Sequence, residues 1–162
     1  MSVHSARYIV RCTTLCLAVL VSAISCIGPS TAPAGYERTG HVQTVEHDNA
    51  SLTVVSKSHG DDLAQARYHA DVKAFQQLFF EGIPKSNQQI ALISKDRQSD
   101  DIKMWVSKFM QSGTYLPYVT SRRTINSFEK VDIIMIEEQL TIDIESLRPY
   151  LVEKNVIPKM GF

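Results

Sequence analysis

The feature that most constrains this chain is the alternation running through residues 131–144. Ile134, Ile136, Leu140, Ile142 and Ile144 fall on one side of an extended segment, and Glu137, Gln139, Thr141 and Asp143 fall on the other. Successive side chains of a strand point to opposite faces, so the spacing predicts one long β-strand with a single wet face. Such a strand needs neighbours and a layer over its apolar side, which commits the chain to a sheet covered by helices. Two details qualify the pattern. Glu138 interrupts the apolar face, which implies a bulge or a basic partner such as Arg122 or Arg123. Val131, Ile133 and Met135 lie on the face opposite Ile134 and Ile136, close to Phe128, so one end of the strand is apolar on both sides.

The remaining elements follow from local signals. Residues 52–57 (Leu-Thr-Val-Val-Ser-Lys) are β-branched and end in Ser58-His59-Gly60, a first strand followed by a turn; residues 41–45 offer a weak further strand. Asp62 precedes Gln65 by three, a capping-box spacing that opens a helix over 62–81, closed by Gly82 and Pro84. Ala66, Ala70, Ala74 and Leu78 form an i, i+4 ridge on it, flanked by Leu63, Phe75 and Phe79, so the helix can lie close on a sheet. Ser99 caps a second helix that carries Ile102, Trp105, Val106, Phe109 and Met110 on one stripe. Residues 116–125 are extended, 126–130 form the turn of a hairpin into the long strand, and a last helix runs over 146–155 with Pro149 in its first turn. The strand, helix, helix, strand, strand, helix order predicts an α+β fold: a small antiparallel sheet with helices packed mainly on one face.

The amino terminus has a different character. Arg7 and Arg11 precede the apolar run Leu15-Cys16-Leu17-Ala18-Val19-Leu20-Val21 with no acid among them, the layout of a signal peptide. The run is too short and too diluted with Ser and Thr for a spanning helix, which needs about 20 apolar residues. It ends in Ala23-Ile24-Ser25-Cys26, similar to a lipobox, so residues 1–25 are expected to be removed and Cys26 acylated. Cleavage after Ala32-Pro33-Ala34, giving plain secretion to the periplasm, is the alternative. Cys26 is the only cysteine after Cys12 and Cys16, and a lone terminal thiol builds neither a disulfide nor a zinc cluster. Residues 26–49 begin Pro- and Gly-rich and read as a tether, leaving 50–162 as the single domain.

At the carboxyl-terminal side the residues carry a resemblance. The long Ala-spaced helix ending in Leu78-Phe79-Phe80-Glu81-Gly82-Ile83-Pro84, the hairpin leading to Ile142-Asp143-Ile144-Glu145-Ser146-Leu147-Arg148-Pro149-Tyr150-Leu151, and the close Glu153-Lys154-Asn155-Val156-Ile157 with Gly161-Phe162 resemble a family of uncharacterised bacterial lipoproteins. The arrangement is more distantly similar to the amino-terminal domain of flagellar assembly protein T and related small outer-membrane lipoproteins. The resemblance implies an envelope assembly or interaction module and supplies no catalytic residues. In such proteins an Asp or Lys after the lipidated cysteine directs sorting; Ile27 carries no such signal, which implies the outer membrane, facing the periplasm.

Few residues point to chemistry. The chain holds 17 Lys and Arg against 17 Asp and Glu; loss of Arg7 and Arg11 leaves the mature form slightly acidic, without the basic footprint that nucleic acid needs. His41, His47, His59 and His69 stand in no metal-binding spacing, although His47 with Asp48, or His59 with Asp61 and Asp62, could in principle ligate an ion; solvated loop and cap residues account for them. Glu137 and Glu138 point to opposite faces and cannot act on one atom. No nucleophile elbow, phosphate loop or dinucleotide fingerprint is present. The expectation is a non-catalytic envelope module without cofactor or metal, bound to the membrane through its anchor and to an envelope protein partner. The alternative is a periplasmic binding module for a small apolar or glycan ligand, with its pocket under the loop 85–98. The expected contact is the apolar end of the hairpin: Phe128, Val131, Ile133 and Met135.

Overall fold

The computed structural model describes residues 42–159. The expected leader, Cys26, the Pro- and Gly-rich stretch after it, His41 and Gly161-Phe162 lie outside the described residues. The elements are β1 (Val42–His47), β2 (Ser51–Gly60), α1 (Leu63–Phe80), α2 (Asp100–Gln111), β3 (Val119–Lys130), β4 (Ile133–Asp143) and α3 (Ile144–Glu153), with 3-10 turns at Lys95–Arg97 and Leu116–Tyr118. The strands form one antiparallel sheet in the order β1-β2-β4-β3. The fold is the α+β arrangement that the patterning predicts. None of the helices among the described residues is long and apolar enough to cross a membrane.

Local chemistry explains most boundaries. Asp62 accepts a hydrogen bond from the Gln65 amide at 2.7 Å, and the Gln65 side chain accepts one from the Asp61 amide at 2.5 Å, which satisfies free donors at the start of α1. Its end turns on Gly82, whose φ of +86° suits glycine; a Cβ there would lie 2.2 Å from the Gln89 carbonyl oxygen. Ser99 caps α2.

Four expectations change against the structure. Residues 42–47 are a paired edge strand inside the stretch read as tether, held by β2 and by the Thr44 hydroxyl donating to the Pro84 carbonyl at 2.8 Å. Ser58, His59 and Gly60 continue β2 because β4 is long enough to pair with them, opposite Ile136, Met135 and Ile134. The turn of the hairpin is not 126–130, which is strand, but Val131 and Asp132 alone, with φ of 42° and 62°. Finally, α3 begins at Ile144, capped by Asp143 accepting from the Ser146 amide at 2.9 Å, so Pro149 sits beyond the first turn.

The helices cover one face of the sheet. Against it, Leu52, Val54, Leu140 and Ile142 meet Ala74, Phe75, Leu78 and Phe79 of α1, Phe109 and Met110 of α2, and Leu147 and Leu151 of α3 in one large cluster. A second and much smaller cluster lies nearer the hairpin, where Ala66 and Ala70 pack on Ile136 with Ile134 beside it. Leu63, expected in the core, is 37% exposed. At the junction of β2 and α1 the backbone approaches so closely that a Cβ on Gly60 would stand 2.5 Å from the Ala66 nitrogen.

Candidate functional site

Between the two clusters lies a layer of polar side chains. Register places Ser56 and Thr124 on either side of Glu138 across β2, β4 and β3, and Arg67 and Asp71 descend on them from α1. Asp71 and Glu138 are both fully buried. Asp71 Oδ2 accepts from the Tyr115 hydroxyl at 2.7 Å and from Arg122 Nη2 at 2.5 Å. Glu138 Oε2 accepts from the Thr124 hydroxyl at 2.7 Å, while its Oε1 faces Arg122 Nε at 3.9 Å and Arg67 Nε at 3.8 Å. Arg67 Nη2 donates to Thr124 Oγ1 at 3.1 Å. The bulge between Thr124 and Asn126 falls opposite this point. Glu138 therefore has the partner anticipated in Arg122 and a second one in Arg67.

Burial raises the Asp71 carboxyl above its ordinary range, with the Tyr115 hydroxyl and Arg122 acting the other way. Tyr115 is held protonated well above the usual phenol range by burial and by its bond to Asp71. Ser56 Oγ, Asp71 Oδ1, Glu138 Oε1 and Arg67 Nε are buried without a hydrogen-bond partner among the described residues. Each carboxylate faces a guanidinium, which fits a clamp that locks β3 and β4 to α1. The pattern contained a signal for Asp71 that sequence reading missed: it stands four residues before Phe75, on the buried side of α1.

Among the described residues, no helix covers the other face of the sheet. Most of it is a polar ladder: Thr53 with Thr141 at 3.0 Å between hydroxyls, Gln139 beside Arg123, and Glu137 bonded to Lys57 and, at 2.5 Å, to the Asn126 amide. The character changes at the last rows. Phe128 pairs with Met135, which pairs in turn with His59, and Ile133 follows beside Lys130. Phe128 is 59% exposed and Val131, at the tip, 84%; Ile133 and Met135 are half-buried. The structure thus brings all four expected contact residues to one end, but Val131 stands on the turn rather than in the strand. Ile102 and Phe109 do not cover them: Phe109 stacks on Trp105 and meets Phe75, Phe79 and Tyr150 in the large cluster, and Ile102 packs against that same cluster.

Val131 is also the one β-branched residue among the described residues with a positive φ outside glycine's company, a left-handed geometry that two-residue hairpin turns ordinarily assign to Asn or Gly.

The histidine and acid groupings resolve into structure. Asp48 accepts from the Ala50 and Ser51 amides in the β1–β2 turn, Asp62 caps α1, and His69 Nδ1 lies 2.8 Å from the His59 carbonyl, half-buried rather than exposed. No three His, Cys, Asp or Glu side chains among the described residues converge as a metal site. The loop after α1 is closed onto it: Leu92 and Ile93 amides donate to the Leu78 and Phe79 carbonyls, and Ile83, Leu92 and Ile93 are buried. Open depressions border this loop: one is lined by Phe80, Glu81, Gln89, Ile90, Ala91 and Lys95, another by Ser86, Gln88, Ile90 and Arg148, and a third between α1 and α2 reaches Gln98.

The fold and this surface define a class: a small α+β domain whose second sheet face, uncovered by helices among the described residues, is mostly polar around Val55 and becomes apolar at the hairpin. A scan against protein-family models, a search of curated proteins and a search of solved structures each find no match.

Proposed function

We propose that the chain is a non-catalytic interaction module of the cell envelope, tethered by an acylated Cys26, with the hairpin end of the bare sheet face as its contact surface. The observation that carries this reading is the apolar group at the hairpin end, exposed Phe128 and Val131 beside half-buried Ile133 and Met135, on a sheet face that is elsewhere mostly polar. Exposed contiguous apolar residues commonly mark contacts, and nothing in folding requires them here, because Ile134 and Ile136 already fill the covered face. The buried charged layer supports the same reading: its acids are bound to a tyrosine, a threonine and arginines, in the manner of a clamp. Within the loop 85–98, Leu92 and Ile93 are buried in the core, whereas Ile90 stands exposed beside the open depressions there, so the ligand-binding alternative stands as a second reading.

The experiment is in two parts. Labelling with a palmitate analogue should mark the wild type and not Cys26→Ser. Cross-linking in cells should then capture a partner with the wild type that Ile133→Lys loses while keeping its fold; unchanged capture by a folded Ile133→Lys protein would overturn the contact surface.

A further inference from the structure

The two edges of the sheet are finished differently. β1 is short, is bulged between Thr44 and Glu46, sends Val42 into the core and is tied to Pro84 through Thr44, which is how proteins commonly protect an edge. β3 is the other edge. It runs for 12 residues, nearly all exposed, and β4 is its one strand partner among the described residues. Its outward row of amides and carbonyls therefore has no strand across from it there, the condition in which a further strand can add to a sheet. α1 lies over β2 and β4, and Ser127 and Glu129, on the covered side of β3, are exposed. Among the described residues, no helix blocks the approach of a strand along this half.

What fits the edge is decided by its own sequence. Arg122, Thr124, Ser127 and Glu129 share the covered face with Leu140, Glu138, Ile136 and Ile134 opposite them, whereas Ser121, Arg123, Asn126, Phe128 and Lys130 share the bare face. The bulge between Thr124 and Asn126 shifts the alternation by one residue, so the two halves of the strand match face for face when it runs against itself with the bulge at the centre. Laid antiparallel on a second β3 in this way, Arg122 stands opposite Glu129, Arg123 opposite Phe128, Thr124 opposite Ser127 and Ser121 opposite Lys130. Each pair shares a face and with it a hydrogen-bonding phase, and the two bulges meet on the axis rather than turning the strands apart.

The register sets a cation against an acid and a guanidinium against an aromatic ring, and no like charges meet. A slip of two residues one way brings Arg123 against Lys130. A slip the other way brings Arg122 against Ser127 and Phe128 against Ser121, losing both favourable pairs. Neither Arg123 nor Glu129 is used in an ion pair among the described residues, so both are available to the second strand.

We infer that the chain associates with a second copy of itself through β3, antiparallel across a two-fold axis between Ile125 and Asn126, joining two four-stranded sheets into one. The inference goes beyond the reading above and does not depend on the anchor: Ile133 and Met135 lie on β4, one strand in from the seam, and stay open to another partner.

The test uses the full chain in mild detergent, with Cys12→Ser, Cys16→Ser and Cys26→Ser to remove its own thiols. Proteins carrying Ser121→Cys and Lys130→Cys, both at exposed positions, should form a disulfide-linked pair when mixed under mild oxidation, because directly opposite residues stand close to disulfide reach. Either protein alone should not, since like positions lie about 30 Å apart in this register. In sedimentation velocity the protein without added cysteines should pass from monomer to dimer with rising concentration. Glu129→Arg, which sets arginines face to face at both ends of the seam, should weaken association about tenfold or more. This exposed substitution keeps the fold of the monomer, checked by circular dichroism, and Glu46→Arg on the β1 edge should leave association unchanged. A folded protein that stays monomeric up to about 100 μM overturns the inference. So does disulfide formation as fast in either cysteine protein alone, or association weakened as much by Glu46→Arg as by Glu129→Arg.

Discussion

Where β4 runs into α3, Leu140 and Ile142 look onto Phe75, Phe79, Phe109 and Leu151, with rings packed edge to face at 5.7 Å between Phe75 and Phe79. At the opposite end of the same strand, Ile134 and Ile136 look onto Ala66 and Ala70 alone. The layer of Asp71, Arg122, Glu138 and Arg67 divides the two. The difference teaches that one strand can serve two purposes: a deep aromatic core fixes one end, and a thin helix contact leaves the other end free to present apolar residues on its bare side. Alanines let α1 approach closely at the hairpin end, but they bury little area, so that end depends on backbone pairing and on the charged clamp.

The comparison can be broken from the strong end first. Phe79→Ala removes a fully buried ring and should cost about 3–5 kcal/mol in chemical denaturation, and Leu78→Ala about 2–5; a loss below about 1 would mean that the aromatic cluster is not where stability resides. Arg122→Ala strips the charged partner from buried Asp71, leaving it the Tyr115 hydroxyl, and leaves Glu138 to Arg67 and Thr124. Because the arginine side chain is 30% exposed, about 1–3 kcal/mol is expected rather than the larger penalty of a fully enclosed pair.

A pH series sharpens the role of the layer. Asp71 has its pKa raised by burial from the ordinary 3.8, so the folded state holds that proton more tightly than the unfolded chain. Its contribution is fully present below the ordinary value and is lost as pH rises through the raised one. The stability of wild type minus that of Asp71→Asn should therefore fall as pH increases from about 4 toward neutrality. Asp48, held low by the Ser51 and Ala50 amides, and Asp143, held low by the Ser146 hydroxyl and then the Ser146 amide, act in the opposite sense, losing their contribution as the medium becomes acid, but they are common to both proteins and cancel. A difference that is flat or rises with pH would show that the Arg122 contact, not burial, governs Asp71.

The smallest effects belong to the hairpin. Ile133→Lys should change stability by about 0.5 kcal/mol, as surface substitutions do. Val131→Asn should raise it by about 0.5–1 kcal/mol, because asparagine accepts the left-handed geometry more readily than valine. A drop in thermal midpoint for either would place that side chain in the core.

Much of this was legible in the chain. The alternation of 131–144, the alanine ridge and the caps at Asp62 and Ser99 are local patterns, and each reappears as an element with the expected face inward. Glu138, out of place on an apolar face, announced a buried charge. What pattern could not supply was pairing. Ser58 to Gly60 carry turn chemistry yet remain strand because β4 lies beside them. Asn126 to Lys130 look like a turn but pair with β4, pushing the reversal onto Val131, against its preference, and Asp132. β1 is short and polar, and only its partner strand makes it visible. Asp71 and Tyr115, 44 residues apart, meet through tertiary packing that no local spacing encodes.

The separation of a stable end from a contact end is tested most directly by native-state hydrogen exchange on the domain. Amides of Val54, Leu140 and Ile142 should exchange only through global unfolding, whereas those of Phe128 and Met135 should exchange through a local opening with distinctly lower free energy and little dependence on denaturant. Equal protection along β4, with the hairpin amides exchanging only in the global transition, would contradict the account.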